Sequence, residues 1–154
     1  MQMNADTDIQ YMEEALQLAR KAETSGEVPV GAVLVADGEI IGRGSNAPIS
    51  LSDPTAHAEI QALREAAGYS KNYRLKDATL YVTLEPCPMC AGAMVHARVE
   101  RLVYGCSDPR SGAAGSVFNI VQADELNHRL DVAHGVLEDK CRDLLQTFFR
   151  ARRK

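Results

Sequence analysis

Cys87 and Cys90 stand in the run Leu84-Glu85-Pro86-Cys87-Pro88-Met89-Cys90-Ala91-Gly92, and His57-Ala58-Glu59 lies about thirty residues upstream. Thiols three positions apart project from one side of a tight turn or first helical turn, so one metal ion reaches both. Taken alone, such a pair is a metal clip, a redox dithiol or a coincidence. The imidazole of His57, with a carboxylate two residues beyond it, favours the metal. Three protein ligands, His57, Cys87 and Cys90, leave a tetrahedral zinc with one position for water, as a catalytic rather than a structural site requires. Zinc lowers the pKa of bound water toward about 7, and hydrolysis at an amidine-like carbon then needs an adjacent proton carrier. Glu59 fills that role by position, and the expectation is one zinc per chain.

A structural zinc closed by a fourth ligand is the competing reading, with His96 as its candidate. On a helix Cys90 and His96 are separated by ~120° and ~9 Å of rise, too far to share an ion. His128 and His134 have no motif to recommend them. Glu85, beside the cysteines, is better read as a support than as a proton carrier. Pro86 and Pro88 stiffen the cysteine turn and mark a helix start, where unpaired N–H groups favour thiolates. His57 falls near the start of another helix, so two helix N-termini converge on one ion. Residues two apart on a regular helix point ~200° apart, so the first turn at His57 is expected to be irregular if His57 and Glu59 share a site.

The elements that must position these groups follow from periodicity. Asp8 to Thr24 reads as an amphipathic helix with Met12, Ala15, Leu16 and Ala19 inward. Val28 to Val35 is a strand, Asp37-Gly38 a hairpin turn and Glu39 to Gly44 the returning strand. Asn46 to Pro54 is a polar loop. Asp53-Pro54 suits a cap and first position of the next helix, which carries Ile60, Leu63 and Ala67 as its apolar stripe and ends near Gly68. Ala78 to Leu84 is a buried strand, Pro88 to Ala97 a small-residue helix, Arg101 to Cys106 a strand, and Ser107 to Ser116 a glycine-containing loop. A helix is expected somewhere in Val117 to Leu130, a short strand in Asp131 to Leu137, and a helix over Glu138 to Arg153 with Cys141, Leu144, Leu145 and Phe148 inward. That order gives an α/β fold: residues 1–154 as a single three-layer domain, a central mixed sheet of about five strands flanked by helices.

The composition of the 154-residue chain, 45% hydrophobic and 25% charged, is that of a soluble globular protein. No apolar run approaches the ~18 residues of a membrane span, and the polar N-terminus is no secretory signal. A cytoplasmic location and no membrane partner are expected. A net charge of −4 gives no global case for nucleic acid, so any RNA contact must be local. The four cysteines point to metal or thiol chemistry rather than a disulfide framework. Cys106 and Cys141 read as buried structural cysteines, and Met94 and Val95 as core or dimer contacts.

His57-Ala58-Glu59 with Pro86-Cys87-Pro88-Met89-Cys90 resembles the cytidine/deoxycytidylate deaminase superfamily. Val28 to Val33, Asp53 to Glu59, Gly112-Ala113-Ala114-Gly115-Ser116, Asn127-His128 and Phe148-Phe149-Arg150 are together similar to the tRNA-specific adenosine deaminase family, over nearly the whole chain. The resemblance implies a cytidine deaminase-like fold and a homodimer that converts the wobble adenosine of a tRNA anticodon stem-loop to inosine, with ammonia released. In that reading, hydroxide on the zinc attacks C6. The resemblance also implies zinc on His57, Cys87 and Cys90, Glu59 as proton shuttle, and substrate contacts from Asn46, Ala58, Leu84, Asp108, Asn127, Phe149 and Arg152. Leu84 stands where the family often has an aromatic. The basic end Arg150, Arg152, Arg153 and Lys154, with Arg142 further back, reads either as a phosphate-contacting patch or as a solvated helix end. Two alternatives stay open: a deaminase of a free nucleobase, guanine or cytosine, and a non-enzymatic zinc-stabilised module.

Overall fold

Gly31–Ala36 (β1) and Ala78–Leu84 (β3) are the runs in which apolar residues alternate least with polar ones, and they are interior strands, buried on both faces. In this computed structural model, which describes residues 5–152, the sheet has five strands in the order β2-β1-β3-β4-β5. Here β2 is Glu39–Ser45, β4 is Arg101–Cys106 and β5 is Asp131–His134. β1 pairs antiparallel with both β2 and β3, while β3, β4 and β5 run parallel, so the sheet is mixed as expected.

The helices are α1 (Ala5–Thr24), the single turn α2 (Pro48–Leu51), α3 (Ala58–Ser70), α4 (Pro88–Ala97) and α5 (Glu138–Arg152). α1 and α5 cover one face of the sheet, α3 and α4 the other. Met12, Ala15, Leu16 and Ala19 form the fully buried stripe of α1. Asp8 secures the helix to the sheet: its carboxylate accepts from Tyr81 Oη at 2.7 Å and from both terminal nitrogens of Arg101 at 2.9 and 2.8 Å. On α5, Cys141, Leu145 and Phe148 are buried and Leu144 is half-buried. Cys106 is buried too, as are Met94 and Val95, which belong to the core. Arg153 and Lys154 of the basic end lie outside the described residues.

Several expectations are corrected by tertiary contacts. The first strand begins at Gly31 rather than Val28, the last ends at His134, and the 46–54 loop contains α2. α3 begins at Ala58, not at Pro54. Asp53 caps a turn instead, its Oδ1 accepting from the backbone N–H and hydroxyl of Thr55 at 2.8 and 2.7 Å. The buried face of α3 is Ala58, Glu59, Ala62, Leu63 and Ala66, rotated from the expected Ile60-Leu63-Ala67 stripe. The cause is the glycines of β2: a Cβ on Gly42 or Gly44 would overlap the backbone of Ala62 or Ala58, so α3 rides on β2 with its alanines inward.

No helix forms in 117–130. Its backbone amides bond elsewhere: Val117 and Phe118 donate to the Gly112 carbonyl at 3.0 Å, Ile120 to Ala113 at 2.9 Å, and Leu130 to Val121 at 2.8 Å. These bonds, to acceptors five to nine residues back, displace the i to i−4 ladder a helix would need. No helix among the described residues is long and apolar enough to cross a membrane.

Candidate metal centre and active site

The parallel pair β3 and β4 ends in register at Leu84 and Cys106, and the Glu85 N–H continues the ladder to the Cys106 carbonyl at 2.9 Å. The cysteine turn and the 107–116 loop therefore leave the sheet side by side. His57 arrives from the other direction. Residues 53–57 are wound by hydrogen bonds from Ala56 N–H to Asp53 O (3.1 Å) and from His57 N–H to Thr55 O (2.7 Å), and Ala47 N–H ties them to the end of β2 through Ala56 O at 2.9 Å.

His57 and Cys87 are the N-caps of α3 and α4, both extended, with φ/ψ of −72°/154° and −75°/172°. Their carbonyls accept the first intrahelical bonds, from Gln61 at 3.0 Å and Ala91 at 2.9 Å, while their side chains stay free of the helical spiral. This is the irregular first turn anticipated at His57. Once the imidazole leaves the helical screw, Glu59 on the first turn faces the same space. The two helix N-termini converge there, and their dipoles favour negative charge.

His57 Nδ1 lies 3.5 Å from Cys87 Sγ and 3.4 Å from Cys90 Sγ, and the three ligand atoms lie within 4.8 Å of one another. Metal–sulfur and metal–nitrogen bonds of about 2.3 and 2.0–2.1 Å at a tetrahedral angle put sulfur and nitrogen about 3.6 Å apart, so the trio fits such an ion. Among the described residues this is the one His/Cys/Asp/Glu group with metal-binding spacing. His96 is exposed on the last turn of α4. His128 Nε2 is 2.6 Å from the Val99 carbonyl oxygen, and His134 stacks on Tyr104 at 5.3 Å.

The electrostatics match a ligand set. A hydrogen bond from Cys90, helped by His57, brings the Cys87 thiol down to about 4 against the cost of burial. The same bond and burial push Cys90 up. His57 is raised by its hydrogen bond to Cys87 and by the nearby Glu59 charge, against burial. Glu59 is 4% exposed, and burial lifts its carboxyl to about 7, in the range where a proton carrier works at neutral pH.

A 220 Å³ pocket opens over this group, lined by His57, Glu59, Cys87, Asn46, Leu84, Glu85, Asp108, Ser111, Val28 and Val30. A larger groove of 600 Å³ shares Val28, Leu84, Asp108 and Ser111 and runs between the loop and α5, past Arg110, Arg142, Gln146 and Phe149. Of the sequence-predicted contact residues, the structure brings Asn46, Leu84, Asp108 and Phe149 to this continuous depression. Ala58 is fully buried as the first residue of α3, outside the pocket lining. Asn127 is exposed in the segment before β5 and lines neither space. Arg152 places its guanidinium 3.8 Å over the Phe148 ring.

The sequence reading missed Val28, Val30 and Ser111 as lining residues and Gln146 as a groove residue. It also missed Glu27. This buried carboxylate accepts from Ile49 N–H (3.2 Å), Ser50 N–H (2.6 Å) and Ser50 Oγ (2.7 Å), holding α2 beside the pocket. In the sequence, Val28 and Val30 read as part of the first strand and of a segment carrying the family resemblance, without a place at the site.

Comparison with known proteins decides the family. Residues 6–153 match the MafB19-like deaminase family. The chain is 54% identical to the tRNA-specific adenosine deaminase of Haemophilus influenzae, over 99% of this chain and 88% of that one. The chain belongs to the tRNA-specific adenosine deaminase family. Its Bacillus subtilis relative of the same name is 51% identical over 94% of this chain and 89% of its own. A solved structure from work on A-to-I editing by tRNA:A34 deaminases superposes with a TM-score of 0.86 at 46% identity, over 88% of this chain and 99% of that one. The guanine deaminase of Nitrosomonas europaea shares the fold at 25% identity, with a TM-score of 0.76 over 91% and 83%. The protein is thus a deaminase, with the five-stranded mixed sheet of its structural neighbours.

Proposed function

We propose that this tRNA-specific adenosine deaminase family member hydrolyses the wobble adenosine of a tRNA anticodon stem-loop to inosine, using one zinc per chain. The observation that carries the reading is the convergence of His57, Cys87 and Cys90, with His57, Cys87 and the buried Glu59 lining one pocket. The names of the close relatives support the substrate. Water replaces the exocyclic amine at C6, so adenosine and water become inosine and ammonia. His57, Cys87 and Cys90 would hold the zinc, which when bound would supply the Lewis acidity that lowers the pKa of water toward neutrality.

The remaining work falls to the chain's own residues. The Glu59 carboxylate takes a proton from the attacking water and delivers it to the purine ring nitrogen. It then carries the second proton to the departing amine. Asn46, at the end of β2, offers its amide to the edge of the base. Leu84 supplies an apolar wall, and Asp108 and Ser111 close the side facing the groove. Burial of Glu59 keeps bulk water from competing for the proton.

Two features favour RNA over a free base. The groove continues directly from the pocket, giving flanking nucleotides a place that a lone base would leave unused. Phe149 lines the groove with Arg110 and Arg142, and Arg152 lies further along α5 over Phe148, a combination of stacking and charge suited to single-stranded RNA. The ligand group of three, with no fourth protein ligand among the described residues, weighs against a closed structural zinc. The exposed Met89, Val117 and Phe118 offer apolar surface for a homodimer, and a tRNA substrate accords with a cytoplasmic location.

The test measures ammonia release from an anticodon stem-loop carrying the wobble adenosine against free adenosine, guanine and cytosine, with wild type and Glu59→Ala. Wild type turns over the RNA. Glu59→Ala keeps about one zinc per chain and loses roughly 10²–10⁴ in rate. Turnover confined to free bases would overturn the substrate, and an active Glu59→Ala would overturn the proton route.

A further inference from the structure

We infer that Glu85 is a positioning residue, whose buried carboxylate sets the 108–116 segment against the pocket and thereby fixes how the substrate nucleotide is held. This rests on the RNA-deaminase reading given above. Glu85 is 2% exposed. Its Oε1 accepts the Asp108 N–H at 3.0 Å and the Ser116 hydroxyl; its Oε2 accepts the N–H groups of Ala114 at 3.0 Å and Ser116 at 3.1 Å. Next door, the Pro86 carbonyl accepts the Ala113 N–H at 2.8 Å. A carboxylate has acceptors only, so it satisfies four converging donors without leaving one of its own unpaired.

The segment it holds contains no helix or strand; its other bonds, such as Gly112 N–H to Asp108 O at 3.0 Å and Val117 N–H to Gly112 O at 3.0 Å, shape it internally, while Glu85 and the Pro86 carbonyl tie it to the cysteine turn. Gly112 clears the space, because a Cβ there would overlap the Glu85 carboxyl. From this frame Asp108 accepts from Arg110 N–H (2.9 Å), Ser111 N–H (3.3 Å) and Ser111 Oγ (3.1 Å), which fixes Ser111 beside Asp108 where pocket and groove meet and Arg110 on the groove side. The four bonds to the Glu85 side chain all come from this segment, and none comes from His57, Glu59 or the cysteines. Glu85 also lines the pocket, but the bonds of its carboxylate go to the loop, so it acts on the substrate wall through the loop, although it sits two residues from Cys87.

The experiment is Glu85→Gln in the full chain, loaded with zinc. Three readouts are taken: zinc per chain, KM and kcat on the anticodon stem-loop, and hydrogen exchange at the amides of residues 108, 114 and 116. The amide isostere turns an NH2 toward donors. Zinc stays at about one, KM rises about tenfold or more with kcat within about threefold, and the three amides exchange about tenfold faster or more. Unchanged KM overturns the inference. So does loss of zinc, or a fall in kcat alone with the amides still protected, since either result assigns Glu85 to the cysteine turn. Should Glu85→Gln fail to fold, Ser116→Ala decides: it removes one side-chain donor, raises KM by a smaller factor if Glu85 acts through the loop, and overturns the inference if KM stays put. A wild-type protein inactive on RNA refutes the substrate reading instead, and the same comparison is then made on the base that is turned over.

Discussion

Gly44→Ala tests the claim that close contact between β2 and α3 sets the catalytic geometry. A methyl carbon on Gly44 would lie 2.8 Å from the Ala62 nitrogen and 2.9 Å from the Ala58 carbonyl carbon, and closer still to that carbonyl's oxygen; ordinary contact begins at 3.4 Å. The obstructing atoms are helix backbone and have no rotamer to escape into. Clearing the nitrogen alone requires α3 to withdraw by about 0.6 Å, and clearing the oxygen about 1.5 Å.

Overpacking of that kind costs about 1–3 kcal/mol, which lowers the melting temperature of a chain this size by roughly 3–10 °C. The larger effect is on function. His57 caps α3 and Glu59 sits in its first turn, so the shift displaces the proposed ligand and the proposed proton carrier together, and a misplacement of about 1 Å costs about 10²-fold in rate. The assay is kcat/KM by ammonia release alongside calorimetry. Gly68→Ala, in the same helix with open space around it, serves as control and should leave both unchanged or slightly raise stability. If Gly44→Ala keeps kcat/KM within about threefold of wild type, the packing argument is wrong.

Asp8→Asn removes a buried charge while leaving Arg101, whose side chain is 12% exposed, without its counterion; the loss should be about 3–5 kcal/mol at pH 7 by chemical denaturation. Burial alone would raise the Asp8 carboxyl, but hydrogen bonds from Arg101 and Tyr81 outweigh it and hold the group below its ordinary 3.8. Its contribution is therefore present above that value and lost as pH falls through the lower native one, so the gap between wild type and variant should close in strong acid. A gap that persisted unchanged at pH 2 would show that the charge is not its source. Arg152→Ala should weaken RNA binding and reduce the salt slope of log K by about one; an unaltered slope would return Arg152 to mere packing on Phe148.

Residue types and short spacings were enough to pick out the His57, Cys87 and Cys90 group that the structure brings together. Cys87 and Cys90 lie close because three positions of chain permit little else, and Pro86 and Pro88 announce the helix that follows. β1, β3 and β4 were legible as near-continuous apolar runs and α1 from its helical stripe, because both patterns report burial directly, while α4 was marked by Pro88 and its small residues. Less legible was anything set by a partner distant in the chain. The start of α3 moved from Pro54 to Ala58 because Ala47 and the turn at Asp53 bind that stretch first, and its buried stripe rotated because two glycines on β2 admit the helix backbone. The region 117–130 lost its expected helix to hydrogen bonds with Gly112 and Ala113.

Glu85 was visible as a support without a purpose, and Glu27 not at all. A carboxylate's role depends on which amides converge on it, and those amides are brought by loops whose course no local pattern encodes. Asn127, suggested by resemblance, stands outside the pocket and groove. The sequence by itself determined which atoms could bind a metal and move a proton, since that is a property of side-chain chemistry and short chain geometry. Only the tertiary structure decided which walls surround them, because strand order and helix approach bring together residues tens of positions apart.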